Sequence, residues 1–351
     1  MVKRKKKNNM KILLFNFTVG SAVEYIGNTF RKWLNEIPNI DIVEIKDQNP
    51  SVVNIDFIIN AKPDIIILND LLEEKTVDCV YYYKKCFPNT KVIVIYHSWR
   101  TIYNFDEKNA DDFKRRYFNN LVDDIICLNY IPENTNNTSD LFKRVHNFYH
   151  PIDTMEYYSK IPWNKRDNLF GYFGNILPHK MSLEFIEKIQ QTDIIVDCYG
   201  KILDWEEYKE YNNLVNNCKN LVFKGYINQE DMPDYINRYK YFVMAHDGYE
   251  PFNVTLLQCI LCGTIPLVVN DRTSKDFDST WIDWADELYF GSNTVDEMIK
   301  NLEHIKTLDC NDISIQISNK AKLIFDYNKF KDFFIKMIEK YRGKNVYTNE
   351  I

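Results

Sequence analysis

The chain has 351 residues, 45% of them hydrophobic, and a formal net charge of -6. That length and apolar content predict a large core divided between two domains, and the acidic balance argues against nucleic acid as a partner while leaving room for a local basic patch. No apolar run approaches the ~20 residues that a bilayer demands, and no signal-like segment opens the chain, so a cytoplasmic protein without a transmembrane segment is expected.

Residues 1–9 (MVKRKKKNN) read as a disordered basic tail, solvated in the simplest case and suited to a peripheral membrane contact in the alternative. A strand is predicted at 11–17, then a small-residue turn at Gly20 and Ser21, then an amphipathic helix at 22–34. Further strands fall at 40–45, 64–68, 91–96 and 124–128; runs such as IIIL and VIVIY are what parallel strands covered on both faces look like. No GxGxxG follows the first strand and no GxxxxGK[ST] occurs anywhere, which removes most dinucleotide redox enzymes and P-loop ATPases. His97 directly follows the fourth strand, at the sheet edge where open α/β sheets receive ligands.

A polar, proline-containing linker is placed at 159–168, between an N-terminal domain at 10–158 and a C-terminal domain at 169–327, with a closing helix and tail at 328–351. The second domain reads as a strand at 169–173, the loop GNILPHKM, a helix at 182–190, strands at 194–198 and 221–223, a helix at 228–239 capped by Asn228, and a strand at 241–245. Helices follow at 295–305, 314–325 and 328–342.

Residues 243–270 (VMAHDGYEPFNVTLLQCILCGTIPLVVN) organise that domain. Asp247, Gly248 and Tyr249 carry turn chemistry, and Pro251 suits a first helical position, so a helix is predicted from about Glu250. Its body is apolar on most sides, Gly263 stops it, and a strand follows at 265–269. Its N-terminus, with unbonded N–H groups and the positive dipole end, is an anion site with phosphate as the natural guest. Asn253 near its start tolerates a left-handed backbone. Cys259 and Cys262 form a CxxC inside this buried helix with no second pair, so the eight cysteines read as reduced core thiols. Asp276 and Asp278 make a DxD of a kind that arises easily by chance in an acidic chain, and no metal is expected.

Three stretches in order, GNILPHKM, FKGYINQEDMPDYI and YEPFNVTLLQCILCGTIPLVV, resemble the nucleotide-sugar-binding half of the group 1 glycosyltransferases, a retaining family of the GT-B fold. Gly174 and Lys180 match that family's phosphate loop, while Asn175 stands where it has arginine; Arg100, Lys201 and Arg272 are the cations available to compensate. Tyr226 and Ile227 fall where backbone receives the nucleobase. Glu250 matches the first glutamate of E-x7-E and Gln258 takes the second place, about 12 Å away along a helix. In the first half, the turn at Gly20, His97 after VIVIY, and VHNFYHPID resemble the acceptor-side domain, so that the likeness runs over roughly 11–340.

The resemblance implies an α/β protein of the GT-B type: two Rossmann-like α/β/α domains with parallel sheets facing across a cleft, the C-terminal helix crossing back to the N-domain. It implies transfer of a sugar from a UDP- or GDP-linked donor to a hydroxyl acceptor, a glycan, lipid or small molecule, with retention and without metal or other cofactor. His97, Glu250 and Lys180 form the implied catalytic set, and Gly20, Gly174, Asn175, Tyr226, Ile227, Phe252, Asn253, Val254 and Gln258 the donor-binding set. The alternatives are a non-catalytic nucleotide-sugar binder, a nucleotide-sugar epimerase of the same fold, and a phage-type DNA-base glycosyltransferase, the last disfavoured by the acidic charge.

Overall fold

The computed structural model of the protein describes residues 9–16, 22–46, 55–69, 74–97, 121–128, 142–246, 253–269 and 288–344. The chain divides into two compact units, Met1–Pro151 with Tyr327–Ile351, and Ile152–Asp326.

The first unit carries strands β1 (Met10–Phe15), β2 (Ile40–Ile45), β3 (Ile65–Asn69), β4 (Lys91–Tyr96), β5 (Asp124–Cys127) and β6 (Val145–Asn147), in the order β2-β1-β3-β4-β5-β6 and all parallel. Alternate residues of the apolar runs serve two cores. Leu13, Phe15, Ile66, Leu68, Val92 and Val94 pack with Val77, Val80 and Tyr83 of α3 (Glu74–Cys86), beside the short α2 (Ile55–Ala61). Ile12, Leu14, Ile65, Ile67, Ile93 and Ile95 pack on the other face with Ile26, Phe30 and Trp33 of α1 (Ala22–Asn35).

That second core also takes Phe330, Phe334 and Ile338 from the C-terminal helix, Tyr327–Lys344, which returns to the first unit as expected. Each such side chain, fully buried, contributes about 1.5–3 kcal/mol. The Trp33 indole N–H donates to the Tyr327 hydroxyl at 2.8 Å, which fixes the register of the return.

The second unit has β7 (Asn168–Phe173), β8 (Val196–Tyr199), β9 (Leu221–Gly225), β10 (Tyr239–Met244), β11 (Ile265–Val269) and β12 (Phe290–Ser292), in the order β12-β11-β10-β7-β8-β9, again all parallel. Its helices are α4 (Leu183–Ile189), α5 (Lys209–Asn217), α6 (Met232–Ile236), α7 (Val254–Leu261), α8 (Val295–Ile305) and α9 (Asn311–Ile324). Each sheet reverses direction beside its first strand, between β1 and β3 in one unit and between β7 and β10 in the other.

Four expectations need correction. The helix expected at 228–239 is only α6, because Asn237 already turns out of it and Tyr239 opens β10. The helix expected from Glu250 begins at Val254, with Asn253 as its N-cap. The strand β6 had no predicted counterpart. The stretch 159–168 is packed into the second unit rather than strung between two: Tyr157, Trp163 and Arg166 are buried, and the Lys160 N–H donates to Asn237 Oδ1 at 2.7 Å. The basic tail at 1–8 lies outside the described residues, among which no helix is long and apolar enough to cross a membrane.

Candidate functional site

In the second unit the strand order sets the carboxyl ends of β7 and β10 side by side at the point of reversal, where open α/β sheets bind ligands. The loop 174–182 leaves β7 there, and the segment leading to α7 leaves β10. The Ser182 N–H donates to the Ala245 carbonyl at 2.7 Å, which joins the two loops, while Ser182 Oγ caps α4 by accepting from the Phe185 N–H.

Glycine follows or ends the three neighbouring strands β7, β8 and β9. Gly174, Gly200 and Gly225 have φ of 141, 156 and 94°, a region L side chains rarely adopt. The Gly174 N–H reaches the Tyr199 carbonyl at 2.8 Å, and the Gly200 N–H reaches that of Gly225 at 3.0 Å. A Cβ on Gly200 would lie 1.8 Å from the Gly174 carbonyl oxygen, so nothing larger than glycine fits between these turns. The outcome is bare backbone along the sheet edge, open to close approach by a ligand.

The Asn175 carbonyl accepts from the Tyr172 hydroxyl at 2.8 Å, and the Ile176 N–H bonds the Lys201 carbonyl at 2.9 Å, so Lys201 runs beside the Asn175 loop. Lys180 closes a turn in which its N–H and that of Met181 both donate to Leu177 at 2.9 Å. Burial, and then the Lys180 charge, hold the neighbouring His179 imidazole below its usual range. Tyr226 is 54% exposed, with the Lys201 ammonium 4.9 Å from its ring centroid, and Ile227 is buried.

At the head of α7, Asn253 has φ -94° and is extended, not left-handed; its Oδ1 accepts from the Leu256 N–H at 2.9 Å. The N–H groups of Val254 and Thr255 reach no carbonyl of their own helix. One turn further, Gln258 is 1% exposed and its Nε2 has no hydrogen-bond partner among the described residues. Gly263, with φ 74°, ends the helix as expected. Burial pushes the Cys262 thiol up to about 12, and the Cys259 thiol well above its usual range, as befits inert core cysteines. Gly20, Glu250, Phe252, Arg100, Arg272, Asp276 and Asp278 lie outside the described residues.

In the first unit His97 follows β4 and is half-buried, its Nε2 3.1 Å from Asn69 Oδ1 and its ring 5.4 Å from that of His150. Burial, and then the His97 charge, hold His150 well below the imidazole range, so it stays neutral at physiological pH. Asn69 ends β3 and Asn16 follows β1; both are fully buried at the first sheet's point of reversal, and the expected site omitted both. Their signal was present in the sequence as an asparagine closing an apolar strand, MKILLFN and IIILN.

Residues 153–322 match the family model described as glycosyl transferases group 1. No curated protein shows significant sequence similarity. Among solved structures, Anabaena Alr3699/HepE in complex with UDP-glucose is similar at 13% identity and a TM-score of 0.67, over 95% of this chain and 100% of that one. Sucrose-phosphate synthase (tll1590) from Thermosynechococcus elongatus is similar at 12% identity and a TM-score of 0.66, over 96% and 100%. A glycosyltransferase from Rickettsia africae ESF-5 is similar at 14% identity and a TM-score of 0.64, over 98% and 100%.

Proposed function

The chain is a glycosyltransferase whose residues 153–322 belong to group 1 and whose two units have the GT-B fold, and from that premise we propose that it moves a sugar from a UDP- or GDP-linked donor to a hydroxyl acceptor with retention of configuration. One observation carries the donor reading: Gln258, one turn behind the Asn253 cap, is buried and its Nε2 has no partner among the described residues. A buried amide donor left unmade costs roughly 1–3 kcal/mol, which a ribose hydroxyl accepting from it would recover. The HepE complex with UDP-glucose supports UDP-sugars as the first donors to try.

In this reading the departing diphosphate gathers negative charge as the sugar–phosphate bond breaks. Lys180 and the Val254 and Thr255 N–H groups at the positive end of α7 meet that charge more strongly in the transition state than in the ground state. The glycine turns let the phosphates approach backbone, Asn175 lies in the phosphate loop with Lys201 as its cation, and backbone at Tyr226 and Ile227 takes the base. Glu250 holds sugar hydroxyls and His97 contacts the sugar near the reacting carbon. The leaving phosphate takes the acceptor proton on the same face, so no enzyme nucleophile is needed.

Incubation with a panel of UDP- and GDP-sugars and acceptor extracts is expected to release free nucleotide diphosphate; release from none of them would sink the proposal. Because protein groups supply the positive charge, excess chelator is expected to leave turnover unchanged. A loss above tenfold, restored by a divalent ion, would make the enzyme metal-dependent. Gly200→Ala forces the Gly174 turn away and is expected to weaken nucleotide diphosphate binding at least tenfold by calorimetry, about 1.4 kcal/mol. Unchanged affinity would separate that turn from the phosphates.

A further inference from the structure

The charge of this chain is divided unevenly. The first unit holds 27 Lys and Arg against 22 Asp and Glu, whereas the second holds 17 against 28, so a protein of net charge -6 contains a unit of positive sign. Association with a charged surface follows the local field rather than the total.

Part of that positive charge gathers at the amino ends of the first sheet's strands, the edge away from His97. Backbone bonds stitch this edge together: the Asp64 N–H donates to the Lys11 carbonyl at 2.8 Å, the Lys91 N–H to that of Asp64 at 2.9 Å, and the Asp123 N–H to that of Val92 at 2.8 Å. α2 and α3 run down to it, because they end just before β3 and β4 begin. Asp123 accepts from Lys84 at 2.6 Å and from Lys91 at 2.9 Å, and Arg144 donates to the adjacent Val122 carbonyl. Three cations thus gather at one carboxylate, which leaves two positive charges over in the cluster. The chain also enters β1 at this edge, shortly after residues 3–7 (KRKKK).

The last turn of α3 sits among these cations. Val80 and Tyr83 face the core, while Tyr82 and Phe87 are 54% and 43% exposed and Lys85 is exposed between them, its ammonium 4.5 Å from the Tyr81 ring centroid. The Phe87 ring lies 4.7 Å from that of Tyr83, whose hydroxyl donates to the Pro63 carbonyl at 3.4 Å, so Phe87 stands beside the end of α2 and the exposed Lys62. A single exposed ring is ordinary. Rings interleaved with ammonium groups along one edge match a headgroup layer, where aromatic side chains settle at the interface and lysines meet phosphate. The net charge of -6 disfavours a long polyanion, whereas a bilayer surface is met by one edge alone.

We propose that this edge, with Tyr82, Lys85 and Phe87 at the end of α3 and Lys62 beside them, docks on the surface of an anionic lipid bilayer. The contact is peripheral, since no helix among the described residues is long and apolar enough to cross a membrane. It lies wholly within the first unit and does not depend on the donor reading.

The test is sedimentation of the full chain with vesicles of phosphatidylcholine, alone or with about one-third phosphatidylglycerol, at about 0.1 M salt. The mixed vesicles are expected to bind at least tenfold more tightly than the neutral ones, and about 1 M salt to release most of the protein. Lys62→Glu with Lys85→Glu is expected to weaken binding by about tenfold or more, since each lysine at an anionic surface is worth about fivefold. Tyr82→Ser with Phe87→Ser is expected to weaken it several-fold and leave the salt dependence as it was. All four side chains are exposed, so both double variants are expected to melt within about two degrees of wild type.

No binding to mixed vesicles, or equal binding to neutral ones, would overturn the proposal. Binding that neither double variant weakens would assign the attraction to residues 3–7 and overturn it as well. DNA or RNA bound at the same salt more tightly than the vesicles, and weakened by the lysine pair alone, would make the edge a nucleic-acid surface instead. Failure of donor turnover leaves the vesicle result standing.

Discussion

Glu250→Ala is expected to lower kcat by about two to three orders of magnitude while the melting temperature stays within a degree or two of wild type. The size follows from what a fixed polar group is worth when it acts on the transition state in a site closed to water. The place follows from α7: the helix starts at Val254, and Asn253 Oδ1 and its carbonyl take the Leu256 and Leu257 N–H groups, so the cap does not depend on a side chain at 250. Removing the carboxylate therefore costs the fold little. In the proposed reading it costs the enzyme its hold on the sugar hydroxyls at the head of the same helix whose N–H groups meet the diphosphate. Steady-state kinetics beside thermal melts checks both halves. Near-normal kcat would move the sugar contact elsewhere, and a large melting shift would make Glu250 a structural residue.

Elements whose apolar pattern is local were legible in the chain, and features closed by distant partners were not. β2, β4, β11 and α8 lie at the expected bounds because uninterrupted or periodic apolar runs name their own length. The end of α7 was legible from Gly263, whose conformation few other residues adopt. Its start was not, because Pro251 and Asn253 are both valid start signals and the choice fell to the bond that Asn253 makes to Leu256. The buried stretch around Arg166 looked like a linker because polar residues and proline usually mean exposure. Its hydrogen-bond partners lie as far away as Thr264, 98 positions on. The Asn16–Asn69 bond spans 53 positions and depends on the parallel pairing of β1 with β3. Near the expected site, the loop after β7 was legible from where the apolar strand ends, whereas the amides behind His97 belong to tertiary structure alone.

Arg166→Met is expected to destabilise the second unit by roughly 3–5 kcal/mol, because it leaves several buried acceptors without donors. The guanidinium is 3% exposed and donates to five neutral oxygens: the carbonyls of Ile161, Tyr239 and Cys262 at 3.1, 2.8 and 2.5 Å, and the hydroxyls of Thr264 and Ser159 at 2.8 and 3.3 Å. One planar fork thus ties the strap before β7 to the start of β10, to the residue before β11 and to the C-terminus of α7. The charge is tolerated without a carboxylate partner among these because the last carbonyl of α7 presents the negative end of the helix dipole. Burial lowers the guanidinium to about 10, so it is still protonated at neutral pH. Methionine fills similar volume and satisfies none of the five oxygens. At about 2–4 °C per kcal/mol for a unit of this size, the melting temperature is expected to fall by about 10 °C. Arg166→Lys retains the charge but brings a single ammonium that cannot span the fork, and is expected to recover less than half of the loss. Donor affinity measured well below the melting transition is expected to change far less than stability, because in the proposed reading the nucleotide meets the opposite end of α7. If Arg166→Met melts within 2 °C of wild type, these hydrogen bonds do not hold the strap, and the unit is secured by its apolar core alone.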